Sequence, residues 1–213
     1  MNIYSYICKR NLILQLMARK IDEEKLVRIK QATMKTIVDC GIEKTTIAMI
    51  AKNANVSGGY LYRLYSGKQA LINELYYDKV AAIIGELEFL ISLKHTSIAP
   101  IIKTFIQNRI VYAINESEAS KFFYQLLHND NFKLPDTLKE KSLSLMKHLL
   151  DIGQKSGEIG ENVELIDINY HIFTYVIDYI HFKRTNFLGI ETITNNDVNY
   201  LTDNILNILK KDC

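Results

Sequence analysis

Thr45 to Lys68 run TTIAMIAKNANVSGGYLYRLYSGK, two short helical patterns with a turn between them. Thr45 can cap the first pattern, in which Ile47, Ile50 and Ala51 recur at helical spacing. Asn53 to Val56 breaks the repeat, and Val56 is the apolar residue such a turn tucks inward. Ser57 can cap a second helix of about seven or eight residues, reading GGYLYRLY. Two helices joined this way form a helix-turn-helix, whose second helix is sized for the DNA major groove.

Spacing inside the second helix sharpens that reading. Leu61 and Leu64 lie three apart and can face inward, which turns Tyr60, Tyr62 and Arg63 outward. Phenols and a guanidinium donate to phosphates, and arginine also reaches guanine. Ser66 opens a further helix, and Ser66-x-x-Gln69 fits a capping box. Lys68 then stands in the first turn of that helix, near the positive end of its dipole, where a phosphate is favoured.

Thr45-Thr46, Ile50-Ala51, Val56-Ser57, Gly59, Leu61-Tyr62, Tyr65 and Lys68 together resemble the pattern of the TetR family of bacterial transcriptional regulators, over residues 22–75. Tyr65 stands where the family usually has Phe, Leu64 where it often has His or an aromatic residue, and Gly58 where many members carry a basic or small polar residue. The resemblance implies an all-α chain of about nine helices. A three-helix DNA-binding domain would occupy residues 17–66 and a larger helical ligand-binding and dimerisation domain residues 67–213, after an extension at 1–16. The residues expected against double-stranded DNA are Thr45, Thr46, Ser57, Gly59, Tyr60, Tyr62, Arg63 and Lys68.

Composition agrees with this class. The chain has 213 residues with only 9 glycines and 2 prolines, and long amphipathic runs dominate it. A chain of this size buries roughly 70% of its unfolded surface. The net charge of +2 is unevenly spread: residues 1–78 hold 12 Lys/Arg against 7 Asp/Glu, and residues 79–213 hold 14 against 17. The basic end is the end with the helix-turn-helix, which suits a polyanionic partner.

Residues 1–16, MNIYSYICKRNLILQL, fit nothing downstream. Lys9 and Arg10 interrupt their apolar runs, so neither a membrane span nor a signal peptide is expected. They read either as a dispensable extension ahead of Met17 or as an arm reaching the DNA backbone. Cys8, Cys40 and Cys213 have no metal or disulfide spacing, and Cys40 falls on an apolar stripe. Scattered cysteines without a signal peptide point to the cytoplasm.

Helical spacing continues throughout. Asp22 to Cys40 carries Leu26, Ile29, Thr33 and Ile37 on one face, with Gly41 as its stop. The helix after Ser66 keeps its stripe to about Ser92, entering from one domain and leaving inside the other, which makes it the natural transmission element. Further helices are expected from Ser97 as cap to Asn115, Ser117 to His128, Pro135 to Ser156, Asp167 to Phe187, and Asn195 to Lys211.

The last two helices are where the sequence places the homodimer. Ile172, Val176 and Ile180 make one face, while His171, Tyr175, Asp178 and Phe182 line another. A helix apolar on two sides must be covered on two sides. With Leu201, Ile205 and Ile208 of the final helix, Ile172, Val176 and Ile180 are the expected subunit interface. The resemblance also implies pairing of these two helices into a four-helix bundle. A palindromic operator would match the symmetry of such a pair.

Six polar or aromatic residues on otherwise apolar faces are candidates for contacting a small-molecule effector: Tyr112, Tyr124, His128, His171, Tyr175 and Asp178. An isolated Asp178 is costly inside YVIDYIHF unless it is exposed, so it reads as paired with a Lys, Arg or His across the dimer, as a ligand contact, or as a solvent-facing residue. There is no Gly-rich phosphate loop, no HExxH and no nucleophile elbow in the sequence, so neither an enzyme nor a metal or cofactor is expected. Two readings stay open: a repressor released from its operator by a small molecule, or a ligand-independent DNA-binding or interaction protein with a packed core. A cavity of a few hundred Å³ in the larger domain would separate them.

Overall fold

A computed structural model describes residues 22–186 and 192–210. Residues 1–16, with Lys9, Arg10 and Cys8, lie outside them, as do Met17 and Cys213. The described residues form nine helices and no strand, counting the three consecutive segments of the eighth as one.

Helix α1 (Glu23–Cys40) starts at Asp22, whose carboxylate accepts from the Lys25 N–H at 3.1 Å, with Glu23 and Glu24 in the first turn. Both features favour a helix N-terminus. The helix ends at Gly41 (φ 82°), whose N–H donates to the Ile37 carbonyl. Cys40 is exposed in the last turn rather than in the core. Helix α2 (Ile47–Asn53) is capped by Thr46, which accepts from the Met49 N–H at 3.2 Å, not by Thr45. Asn55, at φ 52°, turns the chain between the two short helices, a conformation asparagine tolerates better than most residues. Helix α3 (Gly58–Leu64) is capped by Ser57, as its spacing implies.

Three helices pack because Ile29, Ile37, Ile47, Ile50 and Leu61 converge with Leu71 and Ile72 from the start of α4 (Lys68–Ser92). Each such side chain, fully buried, contributes about 1.5–3 kcal/mol. Polar ties fix their angles. Asn53 donates to the Thr36 hydroxyl at 2.9 Å, Arg28 to the Ala54 carbonyl at 3.2 Å, and Lys30 pairs with Asp78 at 2.9 Å and Glu74 at 3.3 Å. The capping box at Ser66 does not form. Gly67 is the N-cap of α4 without a side-chain bond, and Gln69 donates instead to Asn73.

Beyond Tyr76, α4 runs into the larger domain with α5 (Ala99–Asn115), α6 (Ser117–Leu127), α7 (Asp136–Lys155), α8 (residues 165–185) and α9 (Asn196–Leu209). Ser97 does not cap α5. Its hydroxyl donates to Glu158, which also accepts from the Ile98 N–H, so a carboxylate about sixty residues away serves that helix end. Burial raises the Glu158 pKa, but hydrogen bonds from Ser156, Ser97 and Ile98 prevail and hold it below the ordinary value. Gly157 (φ 70°) follows α7, and Ile159 packs so closely on Gly153 that a Cβ there would lie 2.3 Å from it.

Helix α8 is α-helical at Leu165–Asn169, π-helical at Tyr170–Thr174 and α-helical again at Tyr175–Thr185. A π turn accommodates one extra residue, and so rotates everything beyond it relative to an unbroken helix. Ile168, Ile172, Val176 and Ile180 nevertheless all point inward. Helix α9 packs across α5, burying Val198, Leu201, Ile205 and Leu209.

Candidate DNA-reading face, effector chamber and subunit face

Helix α3 projects Tyr62, which is 63% exposed, and Arg63. The Arg63 guanidinium lies 4.8 Å from the Tyr60 ring centroid, and Lys25 of α1 lies 5.8 Å from the same ring. Tyr60 is thus half-buried beneath two cations, an arrangement that joins α1 to the reading helix. The sequence reading missed Lys25, because its position 35 residues before Tyr60 reveals no proximity. Thr46, Ser57 and Gly59 are exposed at the N-terminal ends of α2 and α3. A Cβ at Gly59 would meet nothing within 4 Å, so packing inside the chain does not demand glycine there.

Two residues of the expected DNA set have internal roles. Thr45 is buried, and its hydroxyl donates to the Gly41 carbonyl at 2.8 Å, which takes it out of reach of DNA. The Lys68 ammonium donates to the carbonyls of Ile42 at 2.8 Å and Glu43 at 3.4 Å. It clamps the α1–α2 turn. Lys68→Ala should therefore lower the stability of the reading domain by about 1–2 kcal/mol, since hydrogen bonds to charged groups are the stronger kind. Thermal melting reads this, and the salt dependence of DNA binding should keep its slope. A slope reduced by about one unit would return Lys68 to the phosphate contacts.

In the larger domain a chamber of about 200 Å³ opens between α4, α5, α6, α7 and α8. Tyr76, Ile84, Phe105, Phe123, Met146 and Phe173 are among its walls, with Asn169 and Ser142 as polar points. A second cavity of about 20 Å³ adjoins it through Ile83, Phe123 and Ile177, and is lined also by Lys79, Arg109, Tyr112 and Ser120.

Only Tyr112 of the six effector candidates lines either cavity. Tyr124 stacks on His181 with centroids 3.6 Å apart, by a surface hollow bounded by Lys121 and Arg184. Burial and the nearby Arg184 charge lower the His181 pKa. His128 pairs with Asp178 at 2.7 Å, within one chain rather than across a dimer. His171 and Tyr175 belong to a run of neighbouring rings, Tyr170–His171–Tyr175–Tyr179–Tyr200, that joins α8 to α9. Tyr179 donates to Asp197 at 2.7 Å, and burial together with that carboxylate raises its pKa. These residues therefore line the outside of the domain, and the chamber opens on another flank of α8.

The expected subunit interface is corrected as well. Ile172, Val176, Ile180, Leu201 and Ile205 are buried within a single chain, so they cannot meet a partner. Only Ile208, 43% exposed, is available. The apolar residues that α8 and α9 leave uncovered are Ile166, Tyr170, Phe182, Tyr200 and Ile208.

No described helix is long and apolar enough to cross a membrane. Among the described residues no cluster of His, Cys, Asp and Glu could hold a metal ion.

The sequence pattern of the bacterial regulatory proteins, tetR family, matches residues 29–75. The whole fold is similar to that of the fatty acid degradation regulator FadR from Bacillus halodurans, at 16% identity over 88% of this chain and 97% of that one, with a TM-score of 0.70. FadR from Bacillus subtilis, solved in complex with stearoyl-CoA, matches at 19% identity over 87% and 98% of the two chains, with a TM-score of 0.68. A TetR family transcription regulator from Marinobacter aquaeolei VT8 matches at 17% identity over 87% and 95%, with a TM-score of 0.71. Identities this low carry the fold and no more. The helix-turn-helix region, residues 29–75, thus matches the bacterial regulatory proteins, tetR family, in sequence, and the chain as a whole shares the fold of these solved regulators.

Proposed function

We propose that this regulator is a homodimeric repressor, released from a palindromic operator when a small molecule enters the chamber beneath α6. The chamber is the observation that carries this reading, because of what borders it. Phe123 and Leu127 of α6 belong to its wall, while another side of α6 packs on α1 of the DNA-binding domain. Lys35 of α1 pairs with Glu118 of α6 at 3.3 Å across that junction. A ligand that displaces α6 would move α1, and with it the Tyr60–Arg63 surface that α1 supports through Lys25. Helix α4 provides a second route, since it belongs to both cores. The stearoyl-CoA bound to the Bacillus subtilis FadR supports a ligand for this fold. An open chamber favours it over a packed core that senses nothing.

The DNA contacts we assign are Tyr62, Arg63 and Tyr60, with Thr46, Ser57 and Gly59 at the approaching helix ends. The domain limits, 17–66 and 67–213, follow the same division. Selection of an operator from random DNA, followed by binding titrations, tests the assignment. Arg63→Ala should cost about 1–3 kcal/mol and relax preference at one base pair and its symmetry mate. Unchanged preference would move base reading to another residue. The ligand half is tested by titrating chemically diverse small molecules into the operator complex; failure of all to alter affinity would leave a non-sensing DNA-binding protein.

A further inference from the structure

Arg109 lies on the buried face of α5, four residues after Phe105, and is only 8% exposed. One terminal nitrogen donates to Glu86 of α4, and the guanidinium sits 5.0 Å from the Phe105 ring centroid. Its Nε and Nη1 are buried and have no hydrogen-bond partner among the described residues. Beside it, the Lys79 ammonium rests 3.2 Å from the centroid of the Tyr112 ring, with no carboxylate in salt-bridge range among the described residues. Burial and the Arg109 charge push the Lys79 pKa down to about 8. Arg184 reaches the same wall from α8, donating to the Ser120 hydroxyl and the Ala113 carbonyl. Two cations thus line the small cavity and a third stands behind Ser120, with Glu86 as the one carboxylate bonded to any of them among the described residues.

Buried charges without partners are costly, and natural structures keep few of them. Here the deficit is specific: among the described residues two Arg109 nitrogens lack acceptors, and Glu86 and Glu116 act on Lys79 only from beyond ion-pair distance. The space beside these groups is about 20 Å³, enough for a water-sized polar group. Through Ile83, Phe123 and Ile177 it adjoins the apolar chamber of about 200 Å³.

We propose that the two cavities form one site for a monoanionic amphiphile, a medium-chain carboxylate whose head is held by Arg109 and Lys79 and whose hydrocarbon fills the chamber. Arg109 stands where the head must turn into the tail, since its other face covers Phe105, a wall of the chamber. The carboxylate accepts from one of the orphaned Arg109 nitrogens and from Lys79, and Ser120 on α6 borders the head. This ligand class rests on the chamber being the effector site, as proposed above. It adds that charge, not only shape, selects the ligand.

Calorimetric titration of the full chain with decanoate, decanol and decylamine tests the proposal. Decanoate should bind at least about tenfold more tightly than decanol, and decylamine should not bind, because charge-assisted hydrogen bonds separate otherwise similar chains. Lys79→Met should weaken decanoate about tenfold and leave decanol unchanged. The melting temperature of this variant should not fall, because burial already disfavours the charge removed. The paired variant Arg109→Met with Glu86→Gln, which removes cation and carboxylate together, should abolish the preference for decanoate. Equal binding of the three compounds, no binding of decanoate, or a Lys79→Met variant with full decanoate affinity would overturn the proposal. Operator titrations separate it from the regulatory reading. Decanoate that binds without changing operator affinity supports the ligand class and overturns ligand-driven release. Release by decanol or decylamine but not by decanoate keeps the regulator and overturns the anionic site.

Discussion

Ile205→Glu should unfold the larger domain rather than separate a pair of intact subunits. Ile205 is 0% exposed within one chain, on the side of α9 that packs across α5. The substitution forfeits an apolar burial worth about 1.5–3 kcal/mol. It also places a carboxylate where nothing can pair with it, a further cost of several kcal/mol. Total stabilities are about 5–15 kcal/mol, so most of the margin would be lost. Melting should fall by at least about 10 °C, given roughly 2–4 °C per kcal/mol in domains of this size. Circular dichroism at room temperature should show lost helix. A variant with wild-type melting would mean that α9 does not bury this face.

The reason this outcome differs from a sequence-based expectation lies in how far apart the deciding residues are. Local signals were legible: Asp22, Ser57, Gly41 and Gly157 sit at helix ends as their chemistry implies, and the helix-turn-helix follows from about two dozen residues. Which face of a helix meets the core is not a local property. Ile172, Val176 and Ile180 read as a stripe that some surface must cover, and the sequence cannot say that the cover is the chain's own. The π turn at Tyr170–Thr174 adds a rotation that no spacing rule anticipates.

The same limit governs the sites. Lys68 had a plausible phosphate at its helix start, but Ile42 and Glu43, about twenty-five residues earlier, present carbonyls to it. Ser97 had the right chemistry for a cap, and Glu158 occupies that end instead. In the larger domain, aromatic and His residues drew attention as effector contacts, whereas the chamber is walled mostly by aliphatic and Phe side chains. Arg109 is legible in the sequence as a buried cation. A charged residue at i+4 from Phe105 and i+3 from Ile106 lies on a core face, where a cation demands a partner.

Ile208→Glu should have the opposite signature to Ile205→Glu: a folded protein that no longer pairs. Ile208 is 43% exposed and lies on the uncovered side of α9, with Tyr200 two turns earlier, while Ile166, Tyr170 and Phe182 continue the apolar surface on α8. Residues this exposed tolerate charge in a monomer within about 0.5 kcal/mol. In a symmetric pair the same change acts twice, because a two-fold interface presents each residue from both subunits. Two carboxylates forced into an apolar contact cost several kcal/mol, and each 1.4 kcal/mol is about tenfold in affinity. The dimer should therefore separate at micromolar concentration, as sedimentation would read directly, with helical content retained. Ile166→Glu, on the other helix, should do the same. Operator affinity should then fall by at least about a hundredfold, since two heads must be held about 34–36 Å apart to meet successive major grooves. The reading domain itself would be untouched, because its core of Ile29, Ile50 and Leu61 is separate from this surface. A dimer that survives both changes would put the subunit face elsewhere, and a monomer that still binds operator at full strength would remove the need for paired heads.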